Sequence, residues 1–144
     1  LEGIEEMRTP HFMRLAQIDE ERFISACRHG LVHLTWARAT VRFSRDEFRR
    51  LVALLNRATS AGPPATFHDG VFRVTSRLDA ESELSTGSWI LQLSPDAWHE
   101  FTGAVREALH RLDEILASGM WDGEPEKAQS GVFEGIRRVP FSKN

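Results

Sequence analysis

Apolar and polar residues alternate with a period of two in several short stretches of the chain. Val32, Leu34 and Trp36 fall on one side and Leu31, His33 and Thr35 on the other. Val41 and Phe43 oppose Thr40 and Arg42; Phe72 and Val74 oppose Arg73, Thr75 and Arg77; Leu91 and Leu93 oppose Ile90 and Gln92. This is the pattern of antiparallel strands with one apolar and one mostly polar face. Asp69-Gly70 is a hairpin turn signal and His29-Gly30 a weaker one, which predicts further strands over residues 65–68 and 23–27. For the latter the alternative is a short helix over 19–28 ended by Gly30.

Two helices follow from caps and spacing. Ser44 with Glu47 three residues on makes a capping box, and Phe48, Leu51, Val52, Leu55 and Ala58 recur at helical spacing behind it. Ser94 caps a longer stripe of Trp98, Phe101, Val105, Leu109, Leu112 and Leu116, with Pro95 at the first helical position and an expected end near Gly119.

These elements repeat. Residues 29–35 (HGLVHLT) align with 69–75 (DGVFRVT) at an offset of 40, and residues 41–48 (VRFSRDEF) align with 91–98 (LQLSPDAW) at an offset of 50. The ten-residue difference falls in the polar segment 78–87, which reads as an inserted loop. The expected fold is α+β: two ββα repeats, about 23–60 and about 65–118, forming an antiparallel sheet with two helices packed on one face and related by a pseudo-twofold axis. Residues 1–18 read as an N-terminal extension, 19–118 as a single domain, and 119–144 as a linker and tail.

Composition narrows the class. The chain has 144 residues, 41% hydrophobic and 27% charged, as expected of one globular domain. No apolar run reaches the ~18 residues of a membrane span, and no basic segment leads into an apolar one near the start, so a cytoplasmic location is expected. The net charge of −3 is uneven: residues 1–62 carry 10 basic and 8 acidic side chains, residues 63–144 carry 8 and 13. Such a dipole suits head-to-tail association or the steering of a charged partner.

Candidate chemistry is sparse. Cys27, His29 and His33 are soft and borderline donors within seven residues, but a turn separates them and no fourth ligand is close, so neither a metal site nor a Cys/His nucleophile pair is expected. Asp79, Glu81 and Glu83 read as a solvated acidic loop. His99 and His110 lie about 16 Å apart along one helix and cannot share a ligand. No phosphate-binding glycine motif occurs. No cofactor is expected.

The polar sheet face is the candidate surface. It carries His33, Arg42, Arg73, Thr75, Arg77 and Gln92, with Thr35 and Thr40 between them, and Leu31, Val71 and Ile90 among them tilt it toward protein contact. The expectation is a binding domain rather than an enzyme, self-associating as a homodimer through this face or the C-terminal tail. The alternative is a nucleic-acid module using Arg42, Arg73 and Arg77; it lacks stacking aromatics on that face and is disfavoured by the acidic net charge. A second alternative is a metal or thiol site around Cys27, His29 and His33.

Overall fold

The computed structural model of the chain describes residues 12–87 and 89–121. Four strands, β1 (Phe12–Asp19), β2 (Arg22–Cys27), β3 (Leu31–Trp36) and β4 (Ala39–Ser44), lead into helix α1 (Arg45–Ala61). Four more, β5 (Ala65–Asp69), β6 (Phe72–Ser76), β7 (Ser82–Thr86) and β8 (Trp89–Leu93), lead into helix α2 (Pro95–Ser118). Each set is an antiparallel meander, β1-β2-β3-β4 in sheet A and β5-β6-β7-β8 in sheet B. The class is α+β and each helix follows its own strands, as the repeat requires. The strands form two sheets rather than joining in one, and each unit has four strands before its helix.

From β2 and β6 onward the spacing between the two copies is 50 residues. Arg22 and Phe72 start β2 and β6; Arg45 and Pro95 start the helices. Ile24 and Val74, Leu34 and Leu84, Leu51 and Phe101, Leu55 and Val105, and Ala58 and Ala108 are all buried pairs at this spacing. Gly30 and Gly70 are therefore not equivalent. Gly30 ends the β2–β3 turn, whereas Gly70 sits in the β5–β6 turn, one hairpin earlier in its unit. Residues 78–87 are no insertion, because they contain β7. Residues 12–19 likewise form a strand within sheet A.

Both hidden strands have a physical reason to be hard to see. Two register shifts in β1, between Arg14 and Ala16 and between Gln17 and Asp19, break the alternation of its sequence. Strand β7 turns Ser82, Leu84 and Thr86 inward, and only one of these three buried residues is apolar.

The caps behave as their sequences dictate. Ser44 Oγ accepts the Glu47 amide at 3.1 Å while a Glu47 carboxylate oxygen accepts the Ser44 amide at 2.9 Å. Ser94 Oγ accepts the Ala97 amide at 3.2 Å, and Gly119, in the left-handed region, closes α2 by donating to the Leu116 carbonyl.

The two halves exchange helices. Helix α1 packs on β5 and β6 as well as on β4, and α2 packs on β1 and β2 as well as on β8. This reciprocal packing is that of an isologous pair. Phe43 of the first half meets Phe72 of the second with ring centroids 5.9 Å apart, and Trp36 meets Phe101 edge-on at 5.0 Å. Neither half covers its own apolar faces, so one core belongs to both.

Candidate functional site

Each sheet turns one face to this core and presents the other outward. The polar residues expected on one face therefore divide between two. His33, Thr35, Thr40 and Arg42 lie on the outer face of sheet A; Arg73, Thr75 and Gln92 lie on that of sheet B, with Arg77 just past the end of β6.

On sheet A the strand register sets Arg14, Ser25, His33 and Arg42 in a row across all four strands. Phe12 stands edge-on to His33, with ring centroids 5.3 Å apart at an interplanar angle of 69°. The Arg14 guanidinium lies 3.8 Å from the centre of the Phe23 ring, a cation–π contact. The Thr35 and Thr40 hydroxyls are 3.0 Å apart in the neighbouring pair. Phe12 remains 58% exposed, and Phe23 and Leu31 on the same face are half-buried. This face is thus more apolar than its sequence suggests, because β1 adds Phe12 and β2 adds Phe23 to it. His33 pays for that environment: its Nε2 is buried without a hydrogen-bond partner among the described residues. Burial, and secondarily the Arg42 guanidinium, lower its pKa to about 4.

On sheet B the register forms a row of Thr66, Thr75, Glu83 and Gln92 beside one of His68, Arg73, Ser85 and Ile90. A shallow depression of about 410 Å³ runs over Thr75, Arg73, Arg77 and Glu83. Arg77 bridges to Glu83 at 3.7 Å and donates to the Glu81 carbonyl at 2.8 Å. Glu83 is no loop carboxylate: it stands at the equivalent of His33, in the third strand of its sheet. A constant spacing of 50 is the sequence signal that would have placed it there.

Cys27 is a buried free thiol at the end of β2, and His29 lies in the following turn. Among the described residues, no three of His, Cys, Asp and Glu come together in a way that could hold a metal ion. No helix among them is long and apolar enough to cross a membrane. The tail beyond Trp121 lies outside the described residues. Comparison of the chain with protein-family models, with curated proteins and with solved structures gives no match.

Proposed function

We propose that this protein is a cytoplasmic binding module that self-associates as a homodimer through the outer face of sheet A. The observation that carries this reading is the exposed Phe12 ring set against His33, with the half-buried Phe23 and Leu31 on the same face. An apolar cluster on an otherwise polar sheet face marks an interaction surface. A neutral His33 suits a desolvated interface, where a charged ring would be costly to bury. Arg14 and Arg42 border the cluster and give the polar rim that interfaces of this kind carry. Nucleic-acid binding has less support, since Arg42 lies on one sheet and Arg73 on the other.

Light scattering after gel filtration tests the reading. The 16.4 kDa chain is expected to run as a dimer, and the double variant Phe12→Asp, Phe23→Glu as a monomer with unchanged circular dichroism. A wild-type monomer at every concentration overturns it.

A further inference from the structure

The two halves differ in polarity at one cluster of buried positions. Ala26, Val32 and Val52 of the first half are buried apolar residues; their equivalents Ser76, Ser82 and Thr102 carry hydroxyls and are buried as well. All three hydroxyl residues line a cleft of about 230 Å³ between the last turns of α1, the adjoining ends of β6 and β7, and the first turns of α2. In the first half the corresponding helix ends are tied together by Arg49 and Asp113, at 2.7 Å. The equivalents of that ion pair are His99 and Pro63, which cannot form one, and both line the cleft.

Packing does not require these hydroxyls, because the same positions are filled by Ala and Val fifty residues earlier. Burying a hydroxyl is unfavourable unless a partner satisfies it. Ser82 Oγ accepts the Arg77 amide at 3.0 Å, and Thr102 Oγ1 donates to the His99 carbonyl at 3.1 Å. Ser76 Oγ is buried and has no partner among the described residues. That buried donor belongs to a residue that lines the cleft.

The surroundings specify what it would meet. No carboxylate lines the cleft; His99 does, and so does Arg77, whose guanidinium also reaches Glu83 at 3.7 Å and the Glu81 carbonyl at 2.8 Å, and α2 begins at its rim with Pro95. A helix N-terminus and a guanidinium both favour negative charge. Trp98, half-buried, and Leu78 supply an apolar wall. The volume lies below the ~300–1,000 Å³ of pockets for drug-sized ligands, so the occupant is a small molecule. We propose that this cleft binds a small aromatic carboxylate, its charge taken by Ser76 and Arg77 and its ring lying against Trp98. The site is independent of sheet A and of self-association.

Benzoate is the probe, with benzyl alcohol as its uncharged counterpart, titrated into the full chain and followed by amide and indole NMR shifts. The titration runs to about 20 mM, well above the ~1 mM dissociation constant reasonable for so small a ligand. Saturable shifts are expected at the Trp98 indole and at Ser76 and Thr102, with benzyl alcohol weaker by roughly tenfold. Ser76→Ala, which installs the first half's residue, should weaken benzoate by a similar factor. Arg77→Gln, at an exposed position, should do the same and decides the matter if Ser76→Ala does not fold. Absence of saturable shifts at the cleft, equal binding of the two probes, or folded variants that bind benzoate as wild type does would each overturn the proposal.

Discussion

Asn56 and Arg106 occupy the same position in the two halves and bond to each other, Arg106 Nε donating to Asn56 Oδ1 at 2.8 Å. A residue meets its own equivalent only at a twofold axis, so this contact places the axis of the duplication between the helices. With the helices exchanged across it, the halves cannot unfold separately. A single cooperative transition is expected, coincident by tryptophan fluorescence and far-ultraviolet circular dichroism. Phe72→Ala removes a buried ring that touches Phe43 across the halves and should cost about 3–5 kcal/mol without splitting the transition. Two resolved transitions in denaturant would contradict the shared core.

Ala37 is held at φ 60, the left-handed region that side chains disfavour. It opens the two-residue turn between β3 and β4, and its equivalent in the second half is Gly87, at φ 71. The positive φ at this position has been kept while the residue has not. Ala37→Gly relieves a strain of about 1–2 kcal/mol but gives the unfolded chain more freedom. A net gain of about 0.5–1 kcal/mol in chemical denaturation is expected. The reverse change, Gly87→Ala, adds a Cβ that meets nothing within 4 Å, so its cost of about 1 kcal/mol is conformational alone. A stabilised Gly87→Ala would show that this reading of the turns is wrong.

The same pair explains why the helices were legible in the sequence and half of each sheet was not. Caps and helical stripes are local and were kept in both copies, as Ser44 and Ser94 attest. Turn sequences were not kept. Glu20-Glu21 joins β1 to β2 where Gly70-Val71 joins β5 to β6, so matching glycine to glycine pairs the wrong hairpins and shifts the offset to 40. That shift hides β7 inside an apparent loop and sends Glu83 with it. The polar residues of the strands face outward, with Arg77 just past the end of β6, because alternation fixes the face of a strand. Which strands share a sheet depends on contacts far apart in sequence, and alternation carries no record of those.

The two N-caps should differ in worth. Ser44 is buried and takes part in a reciprocal capping box with Glu47; Ser94 is exposed and makes one bond, since Ala97 stands where a glutamate would answer it. Ser44→Ala should cost about 1–2 kcal/mol and Ser94→Ala about 0.5–1 kcal/mol, measured by urea denaturation. Equal costs would mean that the Glu47 carboxylate adds nothing at the first helix.

His33 gives the stability a defined pH dependence. Its ordinary pKa near 6.5 falls to about 4 in the folded protein, first through burial and then through Arg42. Between these values the unfolded chain binds a proton that the folded chain refuses, so stability rises with pH across this window. The contribution is complete above about pH 6.5, is lost progressively as the pH falls toward 4, and changes no further below that. His33→Gln keeps a polar group on the outer face of sheet A but cannot titrate. Urea midpoints at about pH 7 and about pH 4.5 should therefore differ less for the variant than for wild type, at an equal denaturant slope. The comparison of the two proteins isolates this one ring, because every other titrating group is common to both. An unchanged pH dependence in His33→Gln would mean that the imidazole is solvated, and the apolar cluster around Phe12 would lose the neutral partner that makes it suitable for burial.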